Sequence, residues 1–248
     1  MTAIYKKEML SYFVNPIGYV FSGIFLLFSA VVFCFTTILS QSYDTSLYFT
    51  IMIFALAVLI PILTMRLFSE EIKMKTEQML LTAPVTLTGM VCGKFFAALT
   101  LFAGNILLSC INFIPLYVIA SKERAGGSYE MTHIGPATSQ IIGCLISLLL
   151  IGSAFIAIGT FVSSLTENQL AASVITIGVI LGFICIGFLT SLVDVQWIRA
   201  ILDWLCVLSR FDNFSAGIFD FAALFYYLSL CFVFLFLTVR VYEKRRWG

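Results

Sequence analysis

The stretch RLFSEEIKMKTEQMLLTAPVT, from Arg66 to Thr86, concentrates charge in a chain that otherwise has little of it. It contains six charged side chains, and long apolar segments flank it on both sides; the six are Arg66, Glu70, Glu71, Lys73, Lys75 and Glu77. A short charged segment between two apolar runs is typical of a connection between two membrane-spanning helices. The charge pattern therefore places Arg66–Thr86 outside a membrane and its neighbours within one.

The composition of the whole chain supports this placement. Of its 248 residues, 61% are hydrophobic and 11% are charged, and its mean hydropathy is +1.06. A soluble domain carries about 25% charged residues, so this chain lacks the polar surface that water would require. The composition predicts a polytopic membrane protein. The seven cysteines are scattered without a CxxC pair, which favours small buried side chains over a disulfide or metal framework.

Six apolar runs are long enough to cross a hydrocarbon core of about 30 Å as helices. The predicted spans are Ile17–Leu39, Leu47–Phe68, Phe95–Ala120, Ser139–Leu165, Leu170–Leu192 and Phe221–Tyr242. Each must be helical, because lipid offers no partners for backbone polar groups. The first run is too long for the apolar part of a signal peptide, so we expect a span there and not a cleaved leader.

Lysine and arginine residues predict the orientation of these spans. With the N-terminus in the cytoplasm, ten of the fourteen cations fall on the inner side and four on the outer side. The outer four are Lys122, Arg124, Arg199 and Arg210. Because cytoplasmic segments carry the excess of cations, we expect both termini in the cytoplasm.

Two further segments predict helices at the membrane surface. Residues 1–16 alternate polar and apolar positions at helical spacing, with Tyr5, Met9, Tyr12 and Phe13 on one side, which predicts an interfacial helix. Residues 193–220 are too polar to span but contain Trp197 and Trp204 among apolar residues. Tryptophan favours the membrane interface, so we predict short outer re-entrant helices there, with a plain external loop as the alternative. The predicted fold is one all-α transmembrane domain over residues 1–248.

The segment 66–94, which we call the coupling elbow, is predicted to be a helix–break–helix connection on the cytoplasmic side. Thr76 is a candidate N-cap with Glu77 in the first turn of the helix that follows. Met79, Leu80 and Leu81 form a compact apolar group, and Pro84 ends that helix. Exposed apolar side chains among charges predict a docking site for another protein; a helical hairpin that only solvates its charges is the alternative.

The sequence lacks the motifs expected of a nucleotide-binding site, a metalloprotease or an ion-coupled transporter. Gly89 to Phe95 is similar to a phosphate-binding loop, but its glycine spacing is one residue short and Phe95 stands where Ser or Thr would hold Mg²⁺. Glu70 and Glu71 lack the histidines of a metalloprotease, since His133 is the only histidine and lies in the opposite-face loop. The predicted spans also lack ionisable groups at depth, which disfavours an ion-coupled transporter.

The stretch TMRLFSEEIKMKTEQMLLTAPVTLTGMVCGKFFAAL resembles the ABC type-2 permease family, the membrane halves of ATP-driven exporters. The resemblance lies in Arg66, the Glu70–Glu71 pair, Thr76, Leu80–Leu81, Pro84 and the Gly93–Lys94 pair. Lys6–Phe21 is similar to the family's entry helix, and Phe211–Trp247 is similar to its gliding-motility-type branch. The resemblance covers essentially the whole chain.

This resemblance implies a non-catalytic permease in a bacterial cell membrane, with ATP and Mg²⁺ bound by a separate ATPase partner and no cofactor or nucleic acid bound by this chain. The residues expected to contact the ATPase are Glu70, Glu71, Thr76, Glu77, Met79, Leu80, Leu81, Pro84 and, in the turn between spans four and five, Glu167. A solvated turn remains the alternative for Glu167.

The resemblance also implies a second permease copy, or a similar permease, beside this one. Gly178 and Gly182 form a GxxxG pair in span five and are candidates for the dimer interface, with packing inside one chain as the alternative. Two other functions remain open: a membrane scaffold or regulatory subunit that docks a cytosolic partner without transport, and, less favoured, an ion-coupled transporter.

Overall fold

A computed structural model describes residues 1–40, 43–76, 86–125, 137–190, 197 and 206–247 of the chain. These residues are 87% helical, with no strand among them. Six of the helices are long and apolar enough to cross a membrane. The expectation of an all-α, multi-pass membrane protein with six such helices is therefore confirmed.

The helices follow one another with short connections. In chain order they are α1 (Thr2–Val14), α2 (Pro16–Phe33, continued by a π-helical segment Cys34–Ile38), α3 (Ser46–Thr64), α4 (Arg66–Lys73), α5 (Leu87–Ser109, followed by a 3₁₀ segment Cys110–Phe113), α6 (Ile114–Ala125), α7 (Thr138–Leu165), α8 (Gln169–Thr190), α9 (Phe211–Ser215) and α10 (Phe221–Trp247). Asn15 is extended and Pro16 occupies the first position of α2, where its missing N–H leaves no intrahelical bond unmade.

The two central spans are α3 and α7, which are the most buried of the candidate spans, whereas α8 is the least buried. Phe49, Met52, Ile53 and Leu56 of α3 have no exposed surface and face the core. Helices α2, α8 and α10 lie at the periphery and leave long apolar faces exposed, as expected of helices in contact with lipid. Each such face is also available for contact with another membrane helix.

Helix α1 packs on the bundle along one side only. Ile4 and Tyr12 are buried there, while Leu10, Phe13 and Val14 are exposed. The predicted single apolar side, which grouped Tyr12 with Phe13, is thus divided between a protein-facing and an outward-facing surface. This arrangement is consistent with a helix that lies at the membrane surface and touches both protein and lipid.

One end of the bundle, which we call the charged end, carries α1, α4, the start of α5, the turn 166–168 and the end of α10. Phe68 of α4 packs against Tyr242 of α10, with ring centroids 5.0 Å apart and the ring planes tilted by 40°. Arg245 of α10 donates a hydrogen bond of 2.8 Å to the backbone oxygen of Ser164 in α7. The charged residues of α4 therefore lie beside helix ends from both halves of the sequence.

The opposite end is held by polar contacts of its own. The Asp44 carboxylate accepts hydrogen bonds from the backbone N–H of Ser46 (2.9 Å) and from the side chain of Gln140 (3.0 Å), which joins the starts of α3 and α7. The backbone N–H of Ser46 holds the pKa of Asp44 below its usual range, and the Gln140 side chain adds to this effect. Helix α9 buries Phe211 and Phe214 against this end.

The predicted re-entrant segment 193–220 is described only at Trp197 and from Cys206 onward. Cys206 and Val207 are buried, and the Tyr227 hydroxyl of α10 donates a hydrogen bond of 2.8 Å to the Val207 oxygen. The described part thus folds back onto the bundle through one short helix, α9. The rest of that prediction lies outside the described residues.

Candidate functional site: a charge cluster beneath the coupling elbow

The coupling elbow begins with a break in the second span. Helix α3 ends at Thr64, one turn after Pro61, and α4 restarts at Arg66. Ser163 of α7 inserts its hydroxyl at this break: its oxygen accepts hydrogen bonds from the backbone N–H groups of Phe68 (3.1 Å) and Ser69 (3.2 Å). The same hydroxyl donates to the Met65 oxygen at 3.2 Å.

This contact serves as a cap supplied by another helix. The first four N–H groups of a helix have no acceptor within it, and Phe68 and Ser69 are the third and fourth residues of α4. Lipid cannot satisfy such donors. Ser163 therefore fixes where α4 begins relative to α7, at the one-residue turn (Met65) between two helices that together form one candidate span, Ser46–Lys73.

Close packing brings the two helices together at this joint. A Cβ atom on Gly159 would lie 2.2 Å from the Thr64 hydroxyl oxygen. No side chain other than hydrogen fits this gap without a shift, so glycine permits the approach that places Ser163, one turn further along α7, at the break.

Lys94 is the central residue of the charged end. Its side chain is only 2% exposed, and its ammonium nitrogen lies 2.9 Å from Glu71 Oε1 and 3.2 Å from Glu8 Oε1. It also donates to the Leu67 backbone oxygen and lies 4.9 Å from the centre of the Phe68 ring. An ammonium group has three N–H donors, and these three oxygens provide one acceptor for each.

The cluster is electrically balanced. Lys7 lies 3.2 Å from Glu71 and 3.8 Å from Glu8, so two cations and two carboxylates share one site. The Lys7 side chain is 60% exposed, and such pairs are screened by water and weak. The buried Lys94 pairs are different: removing one member of a buried ion pair costs about 3–5 kcal/mol, because the other charge is left without its partner.

A second ion pair lies beside this cluster. Arg66 donates two parallel hydrogen bonds to the Glu70 carboxylate, at 2.7 and 2.8 Å. The two residues are one turn apart on α4, so the pair stiffens this helix and contributes about 0.3–0.5 kcal/mol. Tyr12 of α1 is buried nearby; burial first, and the Glu8 carboxylate second, raise its pKa, so the phenol stays neutral.

These groups border a polar cleft between α1 and α4 with a volume of about 240 Å³. Its lining includes both members of the Arg66–Glu70 pair together with Lys7, Glu8, Glu71 and Lys94. The lining has as many acids as bases, so the cleft does not favour either sign of ligand. Among the described residues, no group of three His, Cys, Asp or Glu side chains is placed to hold a metal ion.

Helix α4 ends in a tight cap. The Thr76 N–H donates to the Glu71 oxygen and the Lys75 N–H donates to the Ile72 oxygen, both at 3.1 Å, with Lys75 in the left-handed region at φ 56°. This is the Schellman pattern that closes a helix. In the described residues Thr76 thus closes the helix before it; its predicted role as N-cap of the following helix concerns residues 77–85, which lie outside the description.

The remaining predicted contact residues are distributed as follows. Glu70 and Glu71 lie within the ion pairs described above, and Glu167 is exposed in the turn between α7 and α8, at the same end of the bundle. Glu77, Met79, Leu80, Leu81 and Pro84 lie outside the described residues. The stretch Gly89–Phe95 is helical, and α5 begins at Leu87 with Thr86 as its N-cap, its side chain accepting from the Gly89 N–H. Span three thus starts eight residues before the predicted Phe95.

Gly178 and Gly182 face away from the bundle. A Cβ atom on either glycine would meet nothing within 4 Å. The pair therefore makes no close helix contact with the described part of its own chain, and the alternative of packing within one chain finds no support in the described residues.

Sequence reasoning named Lys94 only within the motif resemblance and missed its ion pairs, and it missed Glu8 and Ser163 altogether. Lys94 had one available signal: a lysine inside an apolar helix is costly and is retained where it has partners. Glu8 and Ser163 gave none, because a glutamate in a polar helix and a serine in an apolar one are ordinary residues.

Comparison of the sequence with models of protein families found no match, and comparison with curated proteins found none either.

Proposed function

We propose that this chain is the membrane-spanning permease subunit of an ATP-driven exporter of the ABC type-2 kind. In this proposal a separate ATPase binds ATP and Mg²⁺ and docks on the coupling elbow. The chain lies in a bacterial cytoplasmic membrane with both termini inside. The proposal rests on the motif resemblance together with the construction of the charged end.

The observation that carries the proposal is the attachment of α4. A segment that receives force from another protein must be fixed to the helices that it moves, because a loose loop would absorb the displacement. Helix α4 is tied to α7 through Ser163 and to α5 through Lys94. It leads directly into residues 77–85, which hold the proposed leucine contacts. The exposed Glu167 at the same end would add a second contact to the ATPase.

A scaffold that docks a partner without transport would use the same elbow. Function separates the two: a permease that is coupled to its ATPase changes the rate of ATP hydrolysis, since the two ATPase states must bind the permease differently. A scaffold would bind the ATPase and leave its turnover unchanged.

An ion-coupled transporter is less well supported. Such proteins keep ionisable groups in their membrane interior. Among the described residues, Lys94 is the one charged side chain within the buried set, and it lies at the charged end with its partners. The other buried polar residues of the described spans are neutral.

The proposed function is tested by purifying the chain together with the soluble ATPase encoded by a neighbouring gene. Leu80→Asp with Leu81→Asp should abolish co-purification and ATPase stimulation while membrane insertion stays normal. Ile218→Asp is the matched control, because Ile218 is 63% exposed at the opposite end of the bundle. Co-purification of the double variant at the wild-type level would reject the elbow as the docking site.

A second copy of the permease is proposed to contact the open glycine face of α8. Close approach of two membrane helices requires small residues at the crossing, and this face is free within the described part of the chain. Gly178→Leu with Gly182→Leu should convert a dimer to a monomer in mass photometry, with Gly104→Leu on α5, also an open position, as the control. An unchanged dimer would place the interface elsewhere.

The predicted re-entrant helices in residues 193–220, on the outer side of the membrane, are part of the same proposal. Trp197 is 85% exposed in the chain alone, which suits a ring that sits at the lipid interface. A cysteine in place of Trp197 should react with a membrane-impermeant reagent added outside. Reaction only from the cytoplasmic side would reverse the proposed orientation.

A further inference from the structure

Lys94 joins three helices at one point. It belongs to α5, and its two carboxylate partners come from α1 (Glu8) and α4 (Glu71). The preceding residue, Gly93, allows α1 to come close: a Cβ atom there would lie 3.3 Å from Ile4 Cβ. The pair Gly93–Lys94 thus brings α1 onto α5 and holds it there, while the same ammonium group holds α4.

Apolar contact alone would hold α1 weakly. A membrane-surface helix can place its apolar residues against lipid as well as against protein, so burial gives little preference for the docked position. Helix α1 already exposes Leu10, Phe13 and Val14 on its outward side. The contacts that do distinguish docked from undocked α1 are polar: the Glu8–Lys94 pair, the exposed Lys7–Glu71 pair, and a hydrogen bond of 3.1 Å from the Tyr5 hydroxyl to Thr100.

Among these contacts, the one to Lys94 is shielded from solvent. Glu8 is 12% exposed and Lys94 2%, whereas Lys7 is 60% exposed and its pairs are screened. Loss of α1 from the cluster would leave Lys94 with one carboxylate and one backbone oxygen in place of three acceptors. Separation of α1 from α4 is therefore opposed by a buried charge that both helices help to satisfy.

We propose that Lys94 is a positioning residue that joins α1 and α4 into one unit on α5, so that the N-terminal helix moves together with the coupling elbow. The movement of this unit by an ATPase rests on the proposed function; the junction itself does not. In this arrangement α1 transmits displacement of the elbow to the membrane surface, in addition to anchoring the chain there.

The junction is tested on the purified chain in lipid nanodiscs by hydrogen–deuterium exchange. Glu8→Gln removes the negative charge that α1 brings to Lys94 and leaves a neutral amide oxygen as a weaker acceptor, while the Lys94–Glu71 pair stays. The α1 amides should therefore exchange about three- to twentyfold faster, the range of polar helix contacts in membranes, with α4 unchanged. Lys94→Met should accelerate both helices, and Lys94→Arg should restore much of the protection. Lys6→Met is the control, because Lys6 is an exposed cation on the same helix.

Equal α1 exchange in Glu8→Gln and Lys6→Met would overturn the junction. If Lys94→Met does not fold, Glu8→Gln still decides the question. The second arm adds the ATPase and ATP to the wild type, where exchange in α1 and α4 should change together; in Glu8→Gln the change should be confined to α4. If ATP changes neither helix in the wild type, the proposed function fails, while the first arm still decides the junction.

Discussion

Replacing Ser163 by alanine tests whether α7 determines the break between α3 and α4. The substitution removes one hydroxyl that accepts from two backbone N–H groups and donates to a third backbone group. It leaves a space smaller than a water molecule in a position with no measurable exposure. The donors of Phe68 and Ser69 then lose this acceptor.

Two outcomes with different energies follow. If α4 keeps its position, two buried N–H groups lose this partner, at about 1–3 kcal/mol each, so the variant is destabilised by about 2–6 kcal/mol. If α4 instead shifts until its hydrogen bonds continue those of α3, regular helix bonds to the carbonyls of Thr64 and Met65 replace the lost ones. The cost then falls to about 0.6 kcal/mol, the average for a polar contact between membrane helices.

We expect the larger value, because the Lys94–Glu71 pair holds α4 against such a shift. Thermal unfolding in detergent should show a decrease of about 4–24 °C for Ser163→Ala, from about 2–4 °C per kcal/mol for a chain of this size. Ser164→Ala is the matched control: that hydroxyl is also buried but donates only to Phe161, one turn back in its own helix. A midpoint for Ser163→Ala within 2 °C of the control would refute the reasoning. That small decrease is the one expected if the substitution costs only about 0.6 kcal/mol.

Two further predictions concern the joint and the opposite end of the bundle. Gly159→Ala should destabilise the chain by about 1–3 kcal/mol through overpacking against Thr64, as measured by the same unfolding assay. Adding Thr64→Ser, which removes the methyl group but keeps the hydroxyl, should restore little stability, because the hydroxyl oxygen is the atom nearest to the new Cβ. Asp44→Asn should destabilise the chain above about pH 5, where the carboxylate of the wild type is ionised. Because the folded pKa of Asp44 is lowered, that stabilisation should disappear as pH falls through the folded pKa; a difference between variant and wild type that persists at lower pH would contradict the assignment.

The spans could be predicted from the sequence because hydropathy acts one residue at a time. Runs such as Ser139–Leu165 are apolar throughout, and lipid forces such a run to be helical whatever its neighbours do. The structure gives Thr138–Leu165 for this helix. Boundaries set by a specific contact were harder: α5 begins at Leu87 because Thr86 caps it, well before the apolar run itself begins.

The charged end depends on contacts between distant segments, and a single sequence does not contain those pairings. Glu70 and Glu71 look equivalent in sequence, yet Glu70 pairs within α4 while Glu71 points to Lys94. Their roles differ because successive helical residues are about 100° apart, so only one of them faces α5. The prediction that both contact a partner protein stays untested, but the structure gives Glu71 two internal partners that any docking protein would have to leave in place or replace.

The distribution of polar contacts bears on how a displacement would spread through this bundle. Between membrane helices, apolar contacts give little preference for one position over another, whereas polar contacts select a position. Several of the described polar contacts that join different segments of the chain lie at the two ends: Lys94, Ser163 and Arg245 at one, Asp44 and Tyr227 at the other. The middle is held mainly by close packing of apolar side chains around α3 and α7. Such a middle offers few directional bonds that would select one tilt of α3 against α7, so the polar contacts at the two ends determine the relative position of these helices.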